Sequence, residues 1–303
     1  MIKNKSFTLI ELLVVIVIIG ILAGVIIVST SSSIGKANVA KSKVFAESVR
    51  NDLMIGLVSE WKFDDCYESG GIYYTTDFQG ISNGWLGLTT CTPGTGSCPT
   101  FYDNSEKCVK GGCFYFDGVD DVIQFNLGKY PDPGTLTITG WVNISSLTGE
   151  DHFFGKAWSD GTGLEITNGN VSFAMYNTSS SRVLFTFNET LSLNQWHFVG
   201  ASYDHKTKEI TIFYDGKFYR PNPQNTNSAQ SQPSYRLQAG RADRGSTASR
   251  TFHGYIDELA YYTEILSSQK IQEMYLSGLN SLLANNNISL EEYNERLSNI
   301  ANY

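Results

Sequence analysis

Glu11 is the only charged side chain in a run of apolar and small residues at positions 7–28. An α-helix of this length measures about 33 Å, enough to cross a hydrocarbon core of roughly 30 Å. A carboxylate inside a bilayer costs on the order of 2.5–3.5 kcal/mol, and a paired cation makes it tolerable. The sequence therefore predicts a membrane-spanning helix in which the Glu11 carboxylate binds a positively charged group.

Five cysteines, all between Cys66 and Cys113, provide the second candidate chemistry. Cys91 and Cys98 flank a Pro-Gly-Thr-Gly-Ser turn, and Cys108 and Cys113 flank Val-Lys-Gly-Gly. These spacings favour two disulfides, each stabilising by roughly 2–3 kcal/mol in the chain-entropy model. Zinc is the competing interpretation, but no Cys-x2-Cys spacing is present. The sequence leaves the connectivity open, with Cys66 as the odd residue.

Catalytic patterns are not found. Glycosidases use a pair of carboxylates that flank the scissile bond, whereas Asp257 and Glu258 are adjacent and on a strand would face opposite sides. The histidines are isolated from one another and form neither a His-Glu-x-x-His motif nor a triad-like arrangement; they are His152, His197, His205 and His253. The sequence predicts a protein that is not an enzyme and requires no cofactor.

The charge distribution restricts the partners and the location. A net charge of −8 and a pI near 5.0 argue against a nucleic-acid-binding surface. Lys3 and Lys5 precede the apolar run, and the positive-inside rule keeps that end cytoplasmic. The bulk of the chain is therefore predicted to lie outside the cytoplasm, where disulfides form.

Two kinds of element must position these residues. Phe45, Val49, Leu53 and Leu57 recur every four residues and predict a helix with one apolar stripe. From residue 58 the period changes to short runs of aromatic and β-branched residues separated by turn residues. They lie at 113–116, 122–125, 136–142, 171–176, 183–187, 196–203, 210–214 and 252–262. Strands without intervening helices predict an antiparallel sandwich.

The last part of the chain is helical in pattern. Two serines at 267–268 can cap a helix that runs through Tyr275 or beyond, and the Asn triplet at 285–287 ends it. Ser289 then begins a second short helix. These helices are predicted to pack on the sandwich, with a tether or partner-binding motif as the alternative.

The N-terminus resembles the class III signal of type IV pilins and type II secretion pseudopilins. The residues that carry the resemblance are Lys-Ser-Phe-Thr-Leu-Ile-Glu-Leu at 5–12 and the apolar run after them. The resemblance implies cleavage by prepilin peptidase between Ser6 and Phe7 and N-methylation of Phe7. Glu11 would then pair with the Phe7 amine of a neighbouring subunit. Ser6 departs from the Gly that the family prefers.

Four segments of the sandwich are similar to LamG-like, concanavalin A-like jelly-roll domains. They are Phe-Asp-Gly-Val-Asp-Asp at 116–121, Thr-Ile-Thr-Gly-Trp-Val at 137–142, Asn-Gln-Trp-His-Phe-Val at 194–199 and Phe-His-Gly-Tyr-Ile-Asp-Glu-Leu at 252–259. The Cys-rich segment departs from the pattern and is predicted to be a surface excursion.

The LamG resemblance also implies a structural Ca²⁺. Asp64 or Asp65 together with Asp257 are the candidate ligands, because a hard cation prefers oxygen ligands. The alternative is that these acids are simply solvated at strand ends.

Together these features predict four regions: a leader at 1–6, a transmembrane helix and stem at 7–57, a LamG-like sandwich at 58–266 and a helical tail at 267–303. The predicted function is a structural subunit of a type IV pilus or pseudopilus-like filament that displays the head at the cell surface for adhesion. The alternative is a membrane-anchored carbohydrate- or protein-binding module that does not assemble. Predicted partners are copies of the chain or other pilins, prepilin peptidase, membrane lipid and a surface glycan or protein.

Overall fold

The computed structural model describes residues 56–104, 106–126, 135–147, 150–156, 162–176, 182–221, 237–244 and 247–301. The leader, the predicted membrane helix with Ser6, Phe7 and Glu11, and the predicted stem up to residue 55 lie outside these residues. Within the described part of the chain, no helix is long and apolar enough to cross a bilayer.

Short strands make up most of the described chain, and two helices follow them. The strands are β1 Leu57–Trp61, β2 Tyr67–Ser69, β3 Ile72–Thr75, β4 Gly84–Leu86, β5 Thr100–Tyr102, β6 Cys113–Asp117, β7 Ile123–Phe125, β8 Leu136–Ile144, β9 Glu150–Lys156, β10 Gly163–Thr167, β11 Asn170–Tyr176, β12 Arg182–Thr190, β13 Trp196–Tyr203, β14 Ile210–Tyr214, β15 Lys217–Tyr219, β16 Leu237–Ala239, β17 Arg241–Arg244, β18 Thr247–Thr251 and β19 His253–Tyr262. The helices are α1 Ser268–Ala284 and α2 Leu290–Ala301.

The strands form two large antiparallel sheets. One has eight strands in the order β15-β14-β13-β8-β19-β6-β5, with β1 also paired to β19. The other has nine strands in the order β12-β11-β10-β9-β16-β7-β4-β3-β2, and β17 and β18 form a separate ribbon. The predicted antiparallel sandwich with short C-terminal helices is confirmed.

The main core lies between the two sheets. Trp61 of β1 is fully buried, and its ring contacts Phe125 and Phe154 at centroid distances of 4.2 and 5.7 Å. The indole N–H of Trp61 donates to the Ser82 carbonyl at 2.7 Å. Residues 199, 201 and 203 of β13 also point into this core, as a period of two requires.

A second core lies on the opposite face of the eight-stranded sheet, beneath the helices. Trp141 and Phe198 contribute from the sheet, and Tyr275 contributes from α1. The Trp141 and Tyr275 rings stack with centroids 5.7 Å apart. β13 is consequently buried on both faces, and the helical tail packs on the sandwich as predicted.

Local capping residues set where the helices begin and where α1 ends. The Ser267 side chain accepts a hydrogen bond from the Lys270 N–H, and Ser289 Oγ accepts one from the Glu292 N–H at 3.1 Å. Asn285 is the C-cap of α1. The predicted serine caps and the Asn break are confirmed.

Gly278 lets α1 approach the sheet closely, because a Cβ at this position would lie 2.3 Å from Cζ2 of Trp141. We expect Gly278→Ala to lower the free energy of unfolding by about 1–3 kcal/mol. This overpacking outweighs the gain in helix propensity, which is about 1 kcal/mol. Urea unfolding of the head fragment, residues Val49–Tyr303, which form one compact unit, measures the change.

Ser277→Ala, one residue earlier and partly exposed, is the matched control. If Gly278→Ala proved as stable as this control, the close packing of α1 on Trp141 would be wrong.

Both predicted disulfides are present. Cys91–Cys98 and Cys108–Cys113 have Cα–Cα distances of 5.9 and 5.4 Å. Cys66 is free and half-buried. Burial raises the pKa of its thiol to about 11, and the charge of Asp65 adds to the rise. Little thiolate exists at neutral pH, so Cys66 is a poor nucleophile.

The Cys-rich segment is not the predicted surface excursion. Its strands β2, β3 and β4 extend the nine-stranded sheet, and β5 forms an edge of the eight-stranded sheet. Leu86 and Cys98 are buried in the main core. These strands are only three or four residues long, too short to carry a period that can be read from sequence, which explains the error.

Candidate functional site

A cleft of about 420 Å³ opens on the outer face of the eight-stranded sheet. We call it the polar cleft; its lining residues are Glu106, Lys107, Asn143, Asn194, Gln195, Trp196, Tyr255, Asn287, Ile288 and Glu292. Its volume lies within the range of roughly 300–1,000 Å³ typical of small-ligand sites.

Strand register builds the first wall of the polar cleft. Trp196 of β13 pairs with Asn143 of β8, and Asn143 pairs with Tyr255 of β19. Residues directly opposite each other point to the same face of a sheet. Asn194 precedes this row in a left-handed conformation with φ of 58°, which Asn tolerates, and its N–H donates to the Ile144 carbonyl at 2.8 Å.

The second wall is the chain segment just before the Cys108–Cys113 disulfide. The Trp196 indole N–H donates to the Lys107 carbonyl at 3.1 Å. Lys107 Nζ lies 4.0 Å from the centroid of the Tyr102 ring, a cation–π contact. The hydrogen bond from Trp196 and the contact of Lys107 with the Tyr102 ring therefore attach this wall to the sheet.

The helical tail supplies the third wall. The side-chain amides of Asn285 and Asn287 donate to the carbonyls of Val109 and Cys108 at 3.2 and 2.7 Å. These two bonds hold the connection between α1 and α2 against the disulfide loop, so the tail helps to shape the polar cleft.

An arginine ties the same wall to the sheet. Arg296 Nη1 donates to the Trp196 carbonyl at 2.8 Å, and Nη2 donates to Glu292 Oε1 at 2.6 Å. The Glu292 carboxylate is thus held in place and neutralised by a guanidinium.

The side chains of the polar cleft suit a polyhydroxylated ligand. Four amides, from Asn143, Asn194, Gln195 and Asn287, offer both donors and acceptors. Tyr255, which is half-buried, offers aromatic surface next to these polar groups. Alternating donors, acceptors and apolar rings match the hydroxyls and C–H faces of a sugar.

Asp257 anchors the disulfide loop beside the polar cleft. It is fully buried, and its Oδ2 accepts the N–H groups of Val109 and Lys110 at 2.9 and 3.2 Å. Its Oδ1 accepts the Glu258 N–H at 2.7 Å. Burial raises the pKa of Asp257 well above its ordinary value, the charge of Glu258 adds to the rise, and the three N–H donors oppose it.

Asp64 and Asp65 make different contacts. Asp64 Oδ1 accepts the Gly112 N–H at 3.1 Å, whereas Asp65 Oδ1 accepts the Thr76 N–H at 2.8 Å. In the described part of the chain, the acids whose oxygens lie within 4.8 Å of one another as a group of three are Asp117, Asp120 and Asp121, not the predicted ligands. The calcium prediction for Asp64, Asp65 and Asp257 therefore rests on the resemblance alone.

Asp121 belongs to this group of three and is nearly buried, with 5% of its surface exposed. Burial raises its pKa from 3.8 to about 7, and the charges of Asp117 and Asp120 add to the rise. A bond from the Asp117 N–H opposes it. Because the pKa of Asp121 is raised in the folded state, its protonated form contributes to the free energy of unfolding. This contribution is complete below pH ~4 and is lost as the pH rises through about 7.

We expect the free energy of unfolding of the head fragment to fall between pH 5 and pH 8, with about 1–2 kcal/mol of the fall due to Asp121 after allowance for solvent screening. Asp121→Asn keeps an acceptor for the Asp117 N–H and should remove that share. Urea unfolding at both pH values measures it. An identical pH slope in the variant and the parent would contradict this assignment.

The histidines occupy structural positions. His197 is buried, with Nδ1 bonded to Asp215 Oδ2 at 2.7 Å and Nε2 to the Ser192 carbonyl at 3.2 Å. Both of its ring nitrogens are thus engaged, and the arrangement has no place for a nucleophile next to the ring. The packed role predicted for His197 agrees with these contacts.

The polar cleft was not predicted from sequence. Two of the similar segments, 194–199 and 252–259, contain Trp196 and Tyr255, but the sequence does not show that β8 lies between their strands. Alternation around each residue assigns a face, whereas the strand order is a long-range property. No sequence signal connects the tail with Cys108 and Val109.

The comparisons with known proteins agree with this architecture. The family model described as "Concanavalin A-like lectin/glucanases superfamily" matches residues 117–272. The model described as "Prokaryotic N-terminal methylation motif" matches residues 1–27. No curated protein matches the chain.

Solved structures with a similar fold include botulinum neurotoxin domains. The serotype G binding domain matches with a TM-score of 0.52 and 14% identity, over 72% of this chain and 50% of that chain. The serotype D ligand binding domain in complex with N-acetylneuraminic acid matches with a TM-score of 0.53 and 15% identity, over 74% and 51%. The chain thus spans about half the length of these structures, and the likeness shows a shared fold.

Proposed function

The chain belongs to the concanavalin A-like lectin/glucanases superfamily, and we propose that it is a subunit of a type IV pilus or pseudopilus-like filament whose sandwich head binds glycans at the cell surface. The regions of the proposal are those predicted from sequence: a leader at 1–6, a membrane helix and stem at 7–57, the head at 58–266 and the tail at 267–303.

The observation that carries the filament role is the prokaryotic N-terminal methylation motif at residues 1–27. Processing between Ser6 and Phe7 exposes the Phe7 amine, and Glu11 then has a cationic partner on a neighbouring subunit. A buried ion pair of this kind is favourable only if both partners are present, so it couples membrane burial to assembly. The subunit is membrane-anchored first and extracellular after assembly.

The observation that supports glycan binding by the head is the polar cleft, with its four amides beside Tyr255 and Trp196. The similar serotype D neurotoxin domain has been solved with N-acetylneuraminic acid, which is a sugar. A non-enzymatic role is part of the proposal. It is supported by the contacts of His197 and by Glu165, whose carboxylate is held by the Arg250 guanidinium at 3.0 Å.

Surface filaments sheared from cells that produce the chain provide the test. The proposal expects the processed chain in the sheared fraction, together with other pilins. If the chain remained entirely in the membrane fraction while other pilins were sheared off, the alternative of a membrane-anchored module would be correct instead.

A further inference from the structure

Half-buried tyrosines continue from the polar cleft across the eight-stranded sheet. The ring of Tyr255 contacts those of Tyr115, Tyr102 and Trp196 at centroid distances of 4.8, 5.6 and 6.2 Å. We call Trp196, Tyr255, Tyr115 and Tyr102 the aromatic strip. Three of its members are partly exposed, whereas Trp196 is buried at the end next to the polar cleft.

Strand register gives the strip its direction. Trp196, Asn143, Tyr255 and Tyr115 are consecutive partners in β13, β8, β19 and β6, and Tyr102 lies in β5 at the sheet edge. The Tyr255 ring lies between the other three, so the ring centroids of the strip span no more than about 12 Å. This span is longer than a single sugar ring, so a monosaccharide would leave part of it uncovered.

The tyrosines are held in fixed orientations. The Tyr115 hydroxyl is bonded to His253 Nε2 at 2.7 Å, and His253 Nδ1 is bonded to Ser146 Oγ at 2.8 Å. Lys107 Nζ lies over the Tyr102 ring at 4.0 Å. Side chains that are ordered before binding lose little entropy when a ligand stacks on them.

The charges along the site favour a ligand without net charge. Glu106 and Lys107 are adjacent and of opposite sign, and Glu292 is paired with Arg296 at 2.6 Å. The whole chain carries a net charge of −8. An anionic sugar would therefore meet no net positive site and would be repelled at long range.

We propose that the polar cleft and the aromatic strip together bind a neutral oligosaccharide of several units, with one unit in the polar cleft and the next units stacked on Tyr255, Tyr115 and Tyr102. This inference rests on the proposed glycan-binding function and specifies the ligand class of the same site.

The test measures binding of the full chain, in detergent micelles, to immobilised neutral oligosaccharides of one to six units and to their sialylated counterparts. The probes are glucose and N-acetyllactosamine oligomers. We expect affinity for neutral probes to rise at least about tenfold between one and four units and sialylation to weaken it. Equal affinity for one and four units, or tighter binding of sialylated probes, would overturn the inference.

Two variants locate the site. Tyr115→Ala should remove the gain in affinity with oligosaccharide length, because Tyr115 is not among the lining residues of the polar cleft and would contact the units beyond it. Tyr67→Ala, at an exposed tyrosine of the nine-stranded sheet, is the control. Equal behaviour of the two variants would overturn the inference, with thermal melting confirming that both fold.

The failure of this inference differs from the failure of the proposed function. Binding that depends on the polar cleft but not on oligosaccharide length or on Tyr115 would overturn only the proposed role of the aromatic strip. If no probe binds at any length, both this inference and the proposed glycan binding by the head are overturned.

Discussion

Replacing Glu11 with alanine is expected to reduce the amount of chain in sheared filaments by at least about a hundredfold while leaving membrane insertion intact. Removing one partner of a buried ion pair costs on the order of 3–5 kcal/mol, and each 1.4 kcal/mol is a factor of about ten. Insertion should persist because alanine removes the only charge from the apolar run at 7–28. Quantitative immunoblots of membrane and sheared fractions measure both effects.

Glu47→Ala is the matched control, since Glu47 belongs to the predicted stem beyond the membrane. It should leave the sheared amount close to that of the parent chain. Normal filament incorporation of the Glu11 variant would contradict the proposed pairing with the Phe7 amine, and loss of the variant from membranes would assign Glu11 to insertion instead.

The second large effect is expected from Asp257→Ala. The substitution removes a fully buried acceptor and leaves the N–H of Val109 unpaired in a buried site and those of Lys110 and Glu258 unpaired in partly buried ones. Each unsatisfied buried donor costs about 1–3 kcal/mol, so we expect the free energy of unfolding of the head fragment to fall by about 3–5 kcal/mol. Urea unfolding measures the loss.

Asp103→Ala, at an exposed position, is the control and should be neutral. Asp64→Ala, which loses a single bond from the Gly112 N–H, should lie between the two. If Asp257→Ala were no less stable than Asp64→Ala, the anchoring role would be wrong.

Adding chelator to the same fragment tests the calcium prediction. If a cation bound only the folded state, it would raise the melting temperature by mass action, and excess chelator would lower the melting temperature of calcium-loaded protein. Because the hydrogen bonds of Asp257 satisfy its carboxylate without a metal, we expect chelator to leave the melting temperature unchanged.

The strands with the strongest pattern could be predicted from sequence. β13 and β14 begin and end where they were predicted, because each is rich in aromatic and β-branched residues and lies next to a turn at 204–208. In this turn Asp204 Oδ1 accepts the Lys206 N–H at 2.7 Å. Local composition is sufficient to predict the strand bounds where the turn residues and the strand residues indicate the same hairpin.

The edge strands and the polar cleft could not be predicted, since both depend on partners far away in sequence. β4 and β5 are short and pair with β7 and β6, and β2 and β3 join the nine-stranded sheet only through β4. The anchoring role of Asp257 has no local sequence signal, because its carboxylate accepts the N–H groups of Val109 and Lys110, which lie 148 and 147 residues earlier in the chain. The bulge between Asp257 and Ala260 is likewise outside what strict alternation can predict.

The most direct test of the account is mass spectrometry of the intact N-terminus of the chain isolated from cells with a working prepilin peptidase. The account predicts a mature chain that begins with N-methylated Phe7. A chain that retains Met1, or one that is cut near Ala23 or Ser29, would contradict it, because neither would place a free Phe7 amine beside Glu11 of a neighbouring subunit.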